Sequence, residues 1–321
     1  MINIGVDIGG TKIAAGYLDK HGELQAFRKV STENVFALDD DPIQSLQIFI
    51  NQYIDEIKID RKLIGGIGVG VPSVLDSHTQ EVVSTPNIPE LNQVPLSRLL
   101  SPLLDMPVYV ENDVNLIALG EHLHGRGQGI SDLACVFVGT GLGCGLILNN
   151  KLYTGADGAA AEFGHMIYEP EGRLCGCGAK GCYESYCSGY GLTYDARQFF
   201  SESKIEAFSR NPKFSSFSLA EHLINTAKTG DKRAVEIVEN SFHILGLALT
   251  SMVNLLNPRL VILGGGIVNG WPEAIEIVRN VVYEKARAVS KQRLIFDTPA
   301  LKDKGGLYGA SELVRLNLEK K

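Results

Sequence analysis

The chain has 321 residues, 45% of them hydrophobic and 21% charged, with a net charge of −7. That length accommodates about two domains with separate cores. The acidic balance, without a Lys/Arg cluster, argues against a nucleic-acid partner. No apolar run exceeds strand length, which argues against a membrane span. The N-terminus has no basic segment leading into an apolar one, so the expectation is a cytoplasmic protein whose six cysteines stay reduced.

Asn3 to Leu18 reads as strand, Gly9-Gly10 turn, strand. Asp19 to Gly22 is a second turn, and Glu23 to Val30 can form a third strand. Asp7 interrupts an apolar strand just before the first turn. A carboxylate there must be paired, solvated or near a metal. Either Asp7 caps the turn, or it holds a hydrated Mg²⁺ while Gly9, Gly10 and Thr11 hold phosphate oxygens. Ile43, Leu46, Ile50, Ile54 and Ile57 follow helical spacing within residues 42–60. Ile64 to Pro72 is a buried strand ending in a Pro turn. Further turns lead through Val82-Val83 to the loop Ser84 to Pro89. Leu96 to Leu104 reads as a helix and Pro107 to Glu111 as a strand. Strands alternating with helices predict a mostly parallel α/β sheet. At Glu111-Asn112-Asp113-Val114-Asn115 the last strand meets a helix, Leu116 to His124. One polar residue suffices as a helix cap. Four in five, at the carboxyl end of a strand, fit a ligand site better.

The second half restarts the first. Leu133 to Leu152 again gives strand, turn, strand, turn, in parallel with Ile4 to Gly22. Its turn, Gly139 to Gly145, packs four glycines and a threonine into seven positions. Such a turn either closes a tight hairpin or presents its N–H groups as a nest for anionic oxygens. It lacks the Lys-Ser/Thr pair of a P-loop and does not fit G-x-G-x-x-G. Next come Glu162-Phe-Gly-His165 and Cys175-Gly-Cys177-Gly-Ala-Lys-Gly-Cys182-Tyr-Glu184. His165, Cys175, Cys177 and Cys182 supply one nitrogen and three sulfurs, a donor set for a closed structural zinc site. Cys135, Cys144 and Cys187 read as core residues. Ser201 to Ser241 is helical and polar, with Leu219, Leu223 and Ala227 on one face, and Phe242 to Leu256 is an apolar helix ended by Asn257-Pro258. Leu260 to Ile267 is a buried strand running into Gly264-Gly265-Gly266. That turn fits a nucleotide or simply a tight strand-to-helix connection. Gly305 to Ala310 opens a last helix whose small residues permit close packing.

Together these segments resemble a sugar kinase of the ROK family, of the bacterial glucokinase, allose kinase or N-acetylhexosamine kinase type. Asp7-Ile8-Gly9-Gly10-Thr11-Lys12 resembles the family's first phosphate motif. Gly139-Thr140-Gly141-Leu142-Gly143-Cys144-Gly145 resembles the second, and Leu260 to Gly266 the adenosine motif. The zinc spacing with its flanking Glu184 is the most specific match. The resemblance implies an α/β protein of two RNase H-like (actin/hexokinase-type) domains flanking a cleft. Residues 1–112 plus about 301–321 would form a small domain carrying the first phosphate motif. Residues 113–300 would form a larger one carrying the second phosphate motif, the zinc site and the adenosine motif. It further implies that Asn87, Asn112, Asp113, Glu162, His165 and Glu184 contact a sugar, with Asp113 as general base. ATP, Mg²⁺ and structural Zn²⁺ would be the cofactors, and the assembly a homodimer or higher homo-oligomer. One ring nitrogen of His165 would serve zinc and the other a sugar hydroxyl.

The implied reaction is ATP-dependent phosphorylation of a hexose hydroxyl, the 6-OH, as in a glucokinase. Ser73 stands where the family usually has Gly, and Glu90-Leu91 where many members have an aromatic residue. Ser84-Thr-Pro-Asn87 and Cys187-Ser-Gly189 look closer to allose kinases. An N-acetylmannosamine or N-acetylglucosamine kinase is a further alternative, since these sugars differ by one centre or one acyl group. The rival from another class is a sugar-responsive regulator without kinase activity. Family repressors carry an N-terminal helix-turn-helix domain, for which the first phosphate motif at residue 7 leaves no room.

Overall fold

The computed structural model describes residues 1–76, 79, 81–85, 88–210 and 218–320. In chain order the first half comprises β1 (Ile2–Ile8), β2 (Lys12–Leu18), β3 (Leu24–Ser31), α1 (Pro42–Ile57), β4 (Ile64–Val71), α2 (Leu96–Leu104), β5 (Val108–Asn112) and α3 (Asp113–His124). There follow β6 (Leu133–Val138), β7 (Leu142–Leu148), β8 (Lys151–Leu152), α4 (Gly189–Phe199), α5 (Glu202–Ser209), α6 (Ser218–Lys228) and α7 (Lys232–Leu256). The chain ends with β9 (Leu260–Gly264), α8 (Ala274–Lys285), β10 (Ile295–Asp297) and α9 (Gly305–Leu318). It divides into two compact units. One comprises Met1–Ser131, Gly145–Ala161 and Pro299–Lys321, the other Asp132–Cys144 and Glu162–Thr298.

Among the described residues the long strands form two five-stranded sheets, of order β3-β2-β1-β4-β5 and β8-β7-β6-β9-β10. The two orders are the same path drawn twice, an antiparallel meander followed by two strands added in parallel. The sequence pattern predicts mostly parallel sheets, and the sheets are mixed. β1–β2 and β2–β3 are antiparallel, whereas β1–β4 and β4–β5 are parallel. The cause is the turns. Gly9-Gly10 is too short for a crossover and folds β2 back beside β1, while a parallel neighbour needs the length of a helix to return.

In the first unit, α1 buries Leu46, Phe49, Ile50, Tyr53 and Ile54 against the sheet, the aliphatic side chains and Phe49 each contributing roughly 1.5–3 kcal/mol. The Asp41 side chain caps it by accepting from Ile43 N at 2.8 Å. The small residues opening α9 let it lie directly on backbone. A Cβ at Gly68 would fall 1.9 Å from Ala310 O, and one at Gly309 would fall 1.8 Å from Leu116 O. The strand register sets Asp7 beside Gly70, and Gly70 beside Glu111. The carboxyl ends of β1 and β5 therefore flank a glycine.

In the second unit β9 runs parallel to β6 and β10. Cys135, Cys144 and Cys187 are buried, and burial pushes the Cys144 thiol up to about 12. The end of the polar stretch, from Lys232, and the apolar helix after it are one element, α7. Asp231 caps α7 through Ala234 N at 2.9 Å. Buried Ala234 and Val238 carry the stripe into Phe242 and Leu245, so it continues under a polar outer face. Among the described residues no helix is long and apolar enough to cross a membrane.

Candidate active site

The first unit gathers carboxylates at strand ends. Burial lifts Asp7 to about 6, against a smaller opposing pull from Lys29. Among the described residues Asp7 has no hydrogen-bond donor. A half-buried acceptor in that state suits a hydrated cation. Asp113 opens α3, and burial together with the neighbouring Asp7 charge lifts it to about 7. Its Oδ1 accepts from Val114 N at 2.8 Å. Asn112 caps α3, accepting from Val114 N at 2.9 Å and Asn115 N at 3.0 Å, and its amide donates to Ser73 O at 3.1 Å. The cap and ligand readings of this segment are thus compatible, with the Asn112 side-chain oxygen spent on the cap, one N–H of its amide left over and Asp113 held beside it. The Ser73 hydroxyl donates to Val74 O at 2.7 Å, so the residue that departs from the family pattern positions Asn112 through its backbone. Glu111 accepts from Asn115 Nδ2 at 3.0 Å, and burial raises its pKa.

The first glycine turn, Gly9 to Lys12, is closed by Gly9 N donating to Lys12 O at 2.9 Å. Thr32 holds it, its hydroxyl donating to Gly9 O at 2.6 Å and its N–H to Thr11 O at 3.0 Å. Gly10, Thr11 and Lys12 are exposed. Nothing in the sequence singles out Thr32, which opens a five-residue helix, Thr32–Phe36. Asn87 lies outside the described residues.

The second unit holds the other glycine turn. Gly139 N donates to Gly141 O at 3.0 Å. Gly189 N and Tyr190 N, at the start of α4, donate to Gly139 O at 2.8 Å and Thr140 O at 2.9 Å. Leu142 N donates to Glu184 Oε2 at 3.0 Å. Gly139 and Thr140 also line a cavity of about 400 Å³, with Gly189, Ile224, Gly266 and Gly270. Gly265 sits at φ 102°, with Val138 O 2.4 Å from where a Cβ would be, so the bend that delivers Gly266 to the cavity needs glycine. Gly143 lies within β7, and Gly264 ends β9. Glu221, Asn225 and Lys228 of α6 add polar groups to the wall. They stand four and three residues apart on one helical face, a pattern visible in sequence only as a polar helix.

His165, Cys175, Cys177 and Cys182 place one ligand atom each within 4.8 Å of one another. Cys175 Sγ is 3.7 Å from His165 Nδ1, and Cys177 Sγ is 3.7 Å from Cys182 Sγ. Tetrahedral zinc, with bonds of about 2.3 Å to sulfur, sets its ligands roughly 3.8 Å apart. The donor set and its spacing fit zinc. The other His165 nitrogen, Nε2, faces Glu162 Oε2 at 3.7 Å. Burial raises the Glu162 pKa, with His165 opposing and Glu184 reinforcing. Arg173, on the same loop, pairs with Asp195 through both carboxylate oxygens at 2.7 and 3.1 Å. Its guanidinium lies over the rings of Tyr186 and Tyr194, fixing the loop to α4.

The family model of the ROK family matches residues 3–317. A glucokinase of Streptomyces coelicolor is 33% identical over 98% of this chain and 98% of its own. The crystal structure of a ROK family glucokinase from Streptomyces griseus, in complex with glucose and AMPPNP, matches with a TM-score of 0.77 and 31% identity. That match covers 98% of this chain and 100% of the other. A xylose repressor of Bacillus subtilis is 29% identical over 87% of this chain and 68% of its own.

Proposed function

The chain belongs to the ROK family, and we propose that it is an ATP-dependent hexose kinase that phosphorylates the 6-OH in the manner of a glucokinase. The observation that carries this reading is Asp113, a carboxylate raised to about 7 at the end of β5. A base poised near neutrality is matched to taking a hydroxyl proton. Asp113 accepts the proton of the attacking hydroxyl as that oxygen bonds to the γ-phosphorus. The bond from phosphorus to the bridging oxygen breaks, and ADP leaves. Magnesium held through water at Asp7 would neutralise phosphate charge. The turn Gly9 to Lys12 and the turn Gly139 to Gly143 offer backbone N–H groups to phosphate oxygens, and Gly264, Gly265 and Gly266 shape the adenosine cavity. Asn87, Asn112, Glu162, His165 and Glu184 supply the amides, carboxylates and imidazole that an uncharged polyol needs. Zinc at His165, Cys175, Cys177 and Cys182 would hold the His165 ring in one tautomer and orientation. Binding of glucose and AMPPNP by the Streptomyces griseus relative supports both substrates.

The test is ADP release from MgATP with glucose, allose, mannose, fructose, N-acetylglucosamine and N-acetylmannosamine. One sugar turning over far faster than the rest supports the kinase and names the substrate. The likeness to a xylose repressor favours a second reading, a sugar-responsive regulator. Sugar binding without turnover in zinc-replete protein would select it.

A further inference from the structure

The second glycine turn is held at three points, and all three holders come from the segment that follows the zinc cysteines. Leu142 N donates to Glu184 Oε2 at 3.0 Å. Gly139 O and Thr140 O accept from Gly189 N and Tyr190 N. The contact is close, since a Cβ on Gly141 would fall 2.5 Å from Glu184 Oε2 and one on Gly189 would fall 2.8 Å from Gly139 O.

The same segment is tied to the metal-ligating set. Glu184 Oε1 is 3.4 Å from Cys175 Sγ. The Ser185 hydroxyl donates to Cys182 O at 2.7 Å, and the Ser188 hydroxyl to Glu184 O at 2.7 Å. Cys182, Glu184, Ser188 and Gly189 therefore form one hydrogen-bonded strap, with thiol ligands at one end and the glycine turn at the other.

We propose that Glu184 is a positioning residue for the nucleotide: through it, occupancy of the Cys/His site sets the conformation of the Gly139–Leu142 turn and hence the affinity for a nucleoside triphosphate, independently of any sugar. This rests on the reading of the cavity as the nucleotide site. Without metal, Cys175 and Cys182 lose their common anchor, and Glu184, two residues after Cys182 and 3.4 Å from the Cys175 Sγ, has no fixed place from which to accept the Leu142 N–H.

The experiment measures MgAMPPNP binding in the absence of sugar, where a role of Glu184 toward sugar is silent. Trp271, the one tryptophan of the chain, is buried at the end of the short helix Gly266–Gly270 that lines the cavity. Its fluorescence, alongside calorimetry, reports binding. Losing a hydrogen bond to a charged acceptor should raise the Kd about tenfold or more in Glu184→Ala. Zinc-stripped wild type should show a similar rise that reverses as zinc is titrated back. Zinc-stripped Glu184→Ala should be little worse than either alone, because both act through one strap. Glu184→Gln retains an acceptor for the Leu142 N–H and should stay within about threefold of wild type. The chelation and zinc-return arm stands even where Glu184→Ala does not fold. Wild type that binds MgAMPPNP with the same Kd with and without zinc overturns the coupling while leaving the nucleotide site intact. Wild type that binds no MgAMPPNP overturns the coupling and the nucleotide reading together.

Discussion

The two glycine turns occupy the same place in the same sheet path, yet they are built for different work. In each unit a turn follows the first strand, and its first carbonyl, Gly9 O or Gly139 O, accepts a hydrogen bond from outside the hairpin. In the first unit that bond comes from a side chain, the Thr32 hydroxyl. In the second it comes from backbone, at the start of α4. Asp7 lies two residues before Gly9, and the corresponding residue before Gly139 is Phe137. The first turn is therefore the charged one, with three raised carboxylates, Asp7, Glu111 and Asp113, in its unit. The second carries no carboxylate on its strand and is strapped to the loop that carries the Cys/His cluster. Duplication of a fold fixes where a turn sits, while what surrounds it decides its charge; on the proposed kinase reading the first turn handles protons and cations and the second positions a ligand.

The sharpest way to break this asymmetry is at Asp113. Asp113→Ala should cut kcat by about 10²–10⁴-fold with the fold intact by circular dichroism, and activity near wild type would remove Asp113 as the base. The raised pKa also fixes two pH responses. Catalysis needs the ionised form, so kcat/KM should climb about tenfold per pH unit below about 7 and level off above it. Stability runs the other way. A carboxylate raised from 3.8 to about 7 holds its proton more tightly folded than unfolded. It favours the fold at low pH, and that contribution is lost as pH rises through 7. Asp113→Asn should melt higher than wild type at pH 8, by roughly 1 kcal/mol or more, and lose that advantage at pH 4. A constant difference across pH would remove burial of the charge as the cause.

Metal removal tests the other side. Chelation should lower stability by several kcal/mol and weaken sugar binding, while Asp7→Ala should reduce turnover and leave zinc content at one per chain. Sugar affinity untouched by full zinc loss would separate the zinc site from the substrate. Within the turns, Gly141→Ala drives a methyl onto the Glu184 carboxylate and should raise KM for ATP about tenfold. Gly9→Ala meets only Lys12 O, at 3.0 Å, so a rise of about threefold is expected. Equal losses would mean that both turns fail for the same reason, approach of phosphate, and not through their separate supports.

The sequence made the repeated hairpin, the helical stripes and the Cys/His spacing legible because each is a local pattern, of period 2, of period 3.6, or of residue type at short separation. What it hid is held by contacts between distant segments. The return of β2 beside β1 follows from a two-glycine turn, yet alternation of strands and helices points to parallel sheets. Thr32 and Arg173 carry no motif, and Ser73 stands out only as a departure from one. Their roles come from facing Gly9 O, Asn112 and Asp195 across 23, 39 and 22 residues. Glu221, Asn225 and Lys228 are an ordinary polar helical face until the fold sets that face on a cavity.

The smallest effect tests the support of the first turn. Thr32→Val keeps the N–H to Thr11 O and nearly the same volume, and it deletes only the hydroxyl that donates to Gly9 O. A single neutral hydrogen bond contributes about 1 kcal/mol, so KM for ATP should rise no more than about fivefold. Thr32→Ser restores the donor without the methyl and should recover most of that loss. The second unit admits no equivalent experiment, because the donor to Gly139 O is a backbone N–H that no side-chain substitution removes. If Thr32→Val keeps the wild-type KM and Thr32→Ser does not, the buried methyl holds the turn by packing. The difference between the units would then lie in Asp7 alone and not in how each turn is held.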